Sequence, residues 1–123
     1  MKNFFLITLL IVLSSCSASK KGTNEKNKSE DLIGLVGKKA FLKAPYNVWF
    51  NQKFETYKTD SLTIYSLKKE LKGIKIKGFM GSWCGDSKRE TPHFYKILEQ
   101  ANFNLNNFEL IAVDNNKKTH NNI

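Results

Sequence analysis

The feature that most constrains this chain is a strand–helix–strand pattern between residues 74 and 113. Ile74 to Ser82 predicts a strand, and its first four residues alternate between isoleucine and lysine, which is typical of a half-exposed strand rather than a buried central one. Gly85 to about Gln100 predicts a helix, and Phe108 to Val113 predicts a second strand. Strands joined by a helix are normally parallel neighbours in one sheet, so we expect an α/β fold. The inner face of the helix is predicted to carry Phe94, Ile97, Leu98 and Ala101.

Helices are also predicted ahead of this unit. Pro45 suits the first position of a helix. An aromatic stripe at spacings of three and four follows it and is expected to pack in the core rather than to form a ligand surface: Tyr46, Trp49, Phe50, Phe54 and Tyr57. A second short helix is predicted before Gly73, with apolar residues at Ile64, Leu67 and Leu71. Residues 32–42 are expected to supply a short strand or a turn.

The N-terminal residues have the features of a secretion signal. Lys2 precedes an apolar run from Phe4 to Leu13, which at about ten residues is too short to span a bilayer. The sequence Leu-Ser-Ser-Cys that ends at Cys16 resembles a bacterial lipobox. This resemblance implies that residues 1–15 are a cleaved signal peptide and that Cys16 is lipidated. The alternative is an ordinary cleaved signal with a chance cysteine.

The next residues are expected to form a flexible tether. Residues 17–31 contain one alanine and no larger apolar side chain, so they cannot bury enough surface to offset chain entropy. We therefore assign residues 16–31 to the lipidated cysteine and tether, and residues 32–123 to the folded domain. Several acyl chains would anchor the protein to a membrane almost permanently. No acidic pair directly follows Cys16, which favours the periplasmic face of the outer membrane within the cell envelope.

Composition argues against several classes of function. The formal net charge of +9 comes mostly from lysines spread over the tether, helices and loops. Without an arginine-rich run that alternates with aromatic residues, a nucleic-acid partner is not expected. The His, Cys, Asp and Glu residues lack metal-ligand spacing, so neither a metal site nor a cofactor is predicted.

The second of the two cysteines, Cys84, is the candidate reactive group. If Cys16 is lipidated, Cys84 has no intrachain partner in an oxidising compartment. The alternative is that Cys84 is only a small buried apolar residue. His93 lies more than two helical turns from Cys84 and is not expected to act as its base.

The predicted position of Cys84 at a helix start favours the thiolate, because free N–H groups and a partial positive charge face it there. The hydroxyl of Ser87 is expected to hydrogen-bond the sulfur. Lys88 and Arg89 add positive charge nearby, while Asp86 opposes them. The alternative is a charged first helical turn whose ion pairs only stabilise the helix.

Residues 79–87, Phe-Met-Gly-Ser-Trp-Cys-Gly-Asp-Ser, resemble the active-site segment of the thioredoxin family. In that family a strand runs into Trp-Cys-Gly-Pro-Cys at the start of a kinked helix. The family's Trp, nucleophilic Cys and Gly correspond to Trp83, Cys84 and Gly85. Pro92 falls at the helix-kinking proline, and Asp114 at the Val-Asp end of the next strand. The match covers residues 74–116, and it implies a thioredoxin-like fold in which Trp83 shields a nucleophilic Cys84.

The sequence departs from the thioredoxin pattern in three places. Ser87 replaces the resolving cysteine, so a mixed disulfide on Cys84 would have to be resolved by an outside thiol. Gly78 occupies the position of the family's buried aspartate. The family's cis-proline loop, two antiparallel strands and closing helix have no counterpart after residue 116, which leads us to expect an incomplete domain with an uncovered face and an open sheet edge.

These patterns predict an extracytoplasmic, monothiol thiol–disulfide oxidoreductase. Its partners would be small thiols or proteins that contain thiols or disulfides, in addition to the membrane that holds the anchor. One alternative is a redox-inactive binding or adaptor module that keeps the thioredoxin shape. Another is a truncated product that folds poorly and has no function.

Overall fold

The computed structural model describes residues 31–119, which form a mixed α/β fold of three strands and four helices. The strands are β1 (Gly34–Val36), β2 (Ile76–Met80) and β3 (Phe108–Ala112); the helices are α1 (Lys38–Phe41), α2 (Asn47–Thr56), α3 (Ser61–Glu70) and α4 (Gly85–Gln100), with a 3-10 turn at Leu105–Asn107. The predicted signal peptide (residues 1–15), Cys16 and the tether up to residue 30 lie outside the described residues. Between residues 31 and 119, none of the helices combines the length and apolar character that crossing a membrane requires.

The sheet has the order β1–β3–β2. β2 and β3 are parallel, with Phe79 opposite Ile111, and α4 connects them, so the predicted strand–helix–strand unit is confirmed. β1 is antiparallel to β3 and places Leu35 opposite Ile111 on its other side. β3, which is apolar except for Glu109, is the central strand, while the alternating β2 lies at an edge. This position explains Lys77 in β2, because an edge strand is partly exposed.

An aromatic cluster fills the core between the helices and the sheet. Phe41 stacks on Phe50 with ring centroids 5.3 Å apart, and Tyr95 meets Phe50 at 5.9 Å. Phe41 and Phe50 are at most 1% exposed, and burial of each such side chain contributes roughly 1.5–3 kcal/mol. The predicted packing of the aromatic stripe is confirmed for four members, one buried and three partly buried against the cluster: Phe50, Tyr46, Trp49 and Phe54.

The two predicted helices are present, but the first begins later than expected. α2 starts at Asn47, and Pro45 lies in the preceding turn, where the N–H groups of Tyr46 and Asn47 both donate to the Lys43 carbonyl at 3.0 Å. The prediction that Pro45 opens a helix is therefore wrong. α3 ends at Glu70, shortly before Gly73, whose φ of 74° suits glycine.

The inner face of α4 differs from the prediction by one position. Tyr95 is 3% exposed and faces the aromatic cluster, while Phe94 is 37% exposed and contacts Phe108 edge-on at 5.3 Å. The inward placement of Phe94 is therefore wrong, whereas that of Leu98 and Ala101 is confirmed. Burial, with a smaller contribution from the Glu99 carboxylate, raises the pKa of Tyr95 to about 12.

A lysine joins α2 to α4. Lys96 donates through Nζ to the carbonyls of Glu55 at 3.1 Å and Tyr57 at 2.8 Å. These carbonyls lie at the C-terminal end of α2, where the helix cannot satisfy them itself. α3, by comparison, makes no extensive contact with any other described element.

Candidate functional site

Cys84 lies at the junction between β2 and α4. It is the N-cap residue of α4, with extended backbone angles, and its side chain is half-buried. Its N–H donates to the Gly81 carbonyl at 3.0 Å, and its carbonyl accepts from the N–H of Lys88 at 3.0 Å. The backbone of Cys84 is thus held by the preceding turn on one side and by the first helical bond on the other.

The first turn of α4 favours the thiolate form of Cys84. The pKa of Cys84 is lowered most by the backbone N–H of Ser87, then by the Ser87 hydroxyl, and then by the N–H of Asp86. Burial and the Asp86 carboxylate oppose this shift. The Cys84 side chain makes no capping hydrogen bond of normal geometry, so the effect is an electrostatic preference for the negative sulfur.

Ser87 is oriented by the loop that precedes Cys84. Its hydroxyl oxygen accepts a hydrogen bond from the N–H of Gly81 at 3.1 Å. Because that bond uses a lone pair and not the hydroxyl hydrogen, the hydrogen remains available to the sulfur of Cys84. Ser87 therefore links the end of β2 to the thiol.

The charged side chains of the first turn pair mainly with one another. Arg89 forms ion pairs with Asp86 at 3.0 Å and with Glu90 at 2.6 Å. These pairs agree with the alternative of a stabilised helical turn. The groups that lower the pKa of Cys84 are N–H groups and a hydroxyl instead of the expected cations Lys88 and Arg89.

Trp83 closes the loop against the sheet. Its indole Nε1–H donates to the carbonyl of Val113 at 3.0 Å, just beyond β3, and the side chain stays about one-third exposed. The ring lies over Gly81, where an added Cβ would come within 2.6 Å of two indole atoms. No local pattern in the sequence predicts this requirement for glycine, because the ring is held over Gly81 by Val113, which is 32 positions away from Gly81 in the chain.

Ser82 connects the same loop to the beginning of the described chain. Its hydroxyl accepts from the N–H of Leu32 at 2.9 Å and donates to the Asp31 carboxylate at 3.2 Å. Ser82 is 5% exposed, so these bonds satisfy a buried hydroxyl. The sequence pattern predicts Ser82 only as the end of a strand and does not indicate these bonds, because Leu32 and Asp31 lie 50 and 51 positions away in the chain.

The remaining predicted residues occupy different places. Gly85 opens α4 beside Cys84, whereas Pro92 lies fully buried within α4, about two helical turns after Cys84. The Asp114 carboxylate accepts from the N–H groups of Asn116 and Lys118 at 2.8 Å and so closes a turn after β3. Of the predicted site residues, Trp83 to Ser87 form the turn around the thiol. Pro92 and Asp114 do not belong to this turn, and Cys16 lies outside the described residues.

An open groove of about 320 Å³ lies between β2 and α4. Its lining is mainly apolar and aromatic and includes Ile76, Phe79, Phe94, Phe108 and Leu110. His93 also lines it, stacked on Tyr57 with ring centroids 4.0 Å apart. The 31–119 segment holds no group of His, Cys, Asp and Glu side chains that could bind a metal ion.

Comparison with known proteins identifies no relative of this chain: no family model matches it, and no curated protein or solved structure does so either.

Proposed function

We propose that this protein is a thioredoxin-like, lipid-anchored protein that carries out thiol–disulfide exchange through Cys84. The observation that carries the proposal is the position of Cys84 as the N-cap residue of a 16-residue helix, beside a Ser87 hydroxyl held by the N–H of Gly81. There the N–H and hydroxyl of Ser87 and the N–H of Asp86 lower the pKa of the thiol. The thiolate is the nucleophilic form of cysteine, so a lowered pKa raises the reactive fraction at neutral pH.

In the proposed reaction, the Cys84 thiolate attacks one sulfur of a partner disulfide. A bond forms between the two sulfurs while the partner's S–S bond breaks, and the second partner sulfur leaves as a thiolate that takes a proton from water. Ser87 stabilises the attacking thiolate, and Trp83 covers one side of the loop. Because position 87 carries a hydroxyl, the thiolate of an external thiol completes the cycle by attacking the mixed disulfide and releasing Cys84.

The proposal places this chemistry in the cell envelope. Cys16 would carry the lipid, residues 17–30 would lead to the domain, and the outer membrane's periplasmic face is the proposed location. Mass spectrometry of protein extracted from membranes should show an acylated Cys16 at the new N-terminus. An unmodified Cys16 in a soluble mature chain would refute the anchor.

The decisive measurement for Cys84 is the pH dependence of its alkylation rate. The folded protein, shown first to unfold cooperatively, should titrate at lower pH than the same protein in concentrated urea. Cys84→Ser serves as the blank for non-specific labelling. A folded-state pKa equal to or above the value in urea, with slow alkylation, would exclude the redox proposal.

A redox-inactive binding module is the second candidate, and the open groove beside β2 favours it. In this case Ser87 stands where a redox-active protein would have its resolving cysteine, and Cys84 serves only as the N-cap residue of α4. Mixed-disulfide formation with oxidised glutathione separates the two candidates. The exchange proposal expects a glutathione adduct on Cys84 at neutral pH, whereas the binding module expects none.

A further inference from the structure

The outer edge of β2 offers unpaired backbone groups. The Met80 carbonyl accepts from the N–H of Val113 and so points towards β3, while the N–H of Gly81 points the other way, to Ser87. Backbone groups alternate in direction along a strand, so the N–H and C=O of Lys77 and Phe79 also point away from β3. Within residues 31–119, no strand pairs with this edge. Such an edge can accept another strand.

The groove described above runs beside the same edge. Ile76 and Phe79 form its β2 side, and Phe94 and Phe108 its other side. Gly78 forms part of the groove floor, where the Leu110 and Phe108 side chains approach so closely that an added Cβ would lie 3.3 Å from each. Phe79 is 64% exposed, so a large apolar surface accompanies the unpaired backbone. The edge and the groove together fit an extended chain that places an apolar side chain beside Ile76 and Phe94. The Phe79 ring, opposite Ile111, lies on the other face of the sheet, where it offers a second apolar contact to the same chain.

The positive charge around the start of β2 favours an acidic partner chain. Lys72, Lys75 and Lys77 lie within six positions of one another and are all exposed. One acidic side chain, Glu109, pairs with this group, at 3.2 Å from Lys77. The remaining positive charge complements a carboxylate on the incoming chain.

We propose that β2 binds an extended, acidic segment of a partner polypeptide as a fourth strand, with an apolar side chain in the groove. This mode of recognition uses main-chain hydrogen bonds for affinity and side-chain pockets for selectivity. The inference deepens the proposed function, on which its last step rests: Gly81 is two residues beyond Phe79, about 6.6 Å along the strand. The Gly81 carbonyl accepts from the N–H of Cys84 at 3.0 Å, so a partner cysteine two or three residues beyond the one opposite Phe79, in the direction of Gly81, would come near Cys84.

The first test changes the probe and leaves the fold intact. The full chain carrying Cys84→Ser, in detergent micelles, is titrated with a fluorescein-labelled, cysteine-free octapeptide that alternates glutamate with valine or phenylalanine. Two further probes are N-methylated on alternate residues, starting from the first or from the second. We expect one methylated probe to bind about ten-fold more weakly than the parent and the other to bind about equally. Equal binding of both, or no binding of the parent, would overturn the proposal.

The second test changes the protein. Lys77→Pro removes an outward N–H and keeps the bonds to β3, and Lys77→Ala is its matched control because it loses the same charge but keeps the N–H. We expect the proline variant to bind the parent probe about ten-fold more weakly than the alanine variant. If the proline variant no longer unfolds cooperatively, the difference in binding between the two methylated probes tests the proposal instead. A dimer in sedimentation that Lys77→Pro dissociates, together with no peptide binding, would assign the edge to a second copy and refute the proposal.

The two proposals fail separately. Peptide binding is measured without Cys84, so its absence refutes the docking edge even if the thiol has a lowered pKa. Conversely, binding by a protein whose Cys84 titrates as in urea supports the edge and refutes the exchange chemistry.

Discussion

The aromatic cluster and the Cys84 loop are held by different forces. Phe41, Phe50 and Tyr95 contact one another through rings that water barely reaches. The loop from Gly81 to Ser87 is held instead by single hydrogen bonds to Asp31, Leu32 and Val113, with Trp83 and Cys84 partly exposed. Apolar burial therefore sets the stability of the fold, and local polar contacts set the reactivity of the thiol. The two properties should respond to different substitutions.

The largest loss of stability is expected from Phe50→Ala in the aromatic cluster. Phe50 is 1% exposed and stacks on both Phe41 and Phe54. The free energy of unfolding in urea should fall by about 3–5 kcal/mol, because a cavity remains. Val48→Ala on the same helix, where the side chain is 74% exposed, is the control and should change stability by about 0.5 kcal/mol or less. If the pKa of Cys84 also changed in the folded Phe50→Ala protein, the stability of the fold and the reactivity of the thiol would not be independent.

Gly81→Ala should have a smaller effect on stability and a clear effect on the loop. The new Cβ would displace the Trp83 ring and break its bond to Val113, at a cost of about 1–3 kcal/mol in urea unfolding. Alkylation of Cys84 should become faster, because the ring no longer covers the turn. Gly37→Ala, where nothing lies within 4 Å of the added Cβ, is the matched control. Unchanged alkylation with reduced stability would mean that Trp83 does not shield the thiol.

Ser82→Ala tests the connection to the N-terminal segment. The N–H of Leu32 loses its hydrogen-bond acceptor and Asp31 loses a donor, so unfolding in urea should become easier by about 1–2 kcal/mol. Ser66→Ala removes an exposed hydroxyl in α3 and should have almost no effect. Equal stability of the two variants would show that the bonds to Asp31 and Leu32 do not contribute.

Ser87→Ala removes the acceptor of the Gly81 N–H, so the free energy of unfolding should fall by about 0.5–1.5 kcal/mol, and the chemistry of Cys84 should change most. The pKa of Cys84 should rise, though not fully to its unfolded value, because the N–H groups of Ser87 and Asp86 remain. Ser87→Thr keeps the hydroxyl and should retain more of the shift. A pKa that is the same in both variants would contradict a role for the hydroxyl.

The lowered pKa of Cys84 should also make the stability of the fold depend on pH. The folded-state pKa of Cys84 is depressed, so its thiolate adds stability that is fully present above the unfolded pKa and is lost as pH falls through the folded pKa. Relative to Cys84→Ser, the wild-type protein should therefore gain stability as pH rises between these two values. Urea unfolding over that range, repeated with Ser87→Ala, should show a smaller gain for the variant.

Local patterns in the sequence predicted most of the elements. The range of α4 and the apolar character of β3 follow from runs of adjacent residues, and Cys84 was predicted at the helix start for the same reason. What sequence could not supply were contacts between distant positions, such as Ser82 with Leu32 and Trp83 with Val113. The choice between Phe94 and Tyr95 as the buried ring also depended on a partner elsewhere in the chain, the Phe41 and Phe50 cluster.

The bond from Lys96 to the end of α2 has a consequence for local unfolding. Since its Nζ group holds the carbonyls of Glu55 and Tyr57, α2 cannot separate from α4 without exposing both carbonyls and the aromatic rings beneath. These two helices should therefore exchange their amide hydrogens as one cooperative unit, at a free energy near that of global unfolding. α3 has Ile64 as its one buried side chain and no comparable link, so its amides exchange through a separate opening of lower free energy.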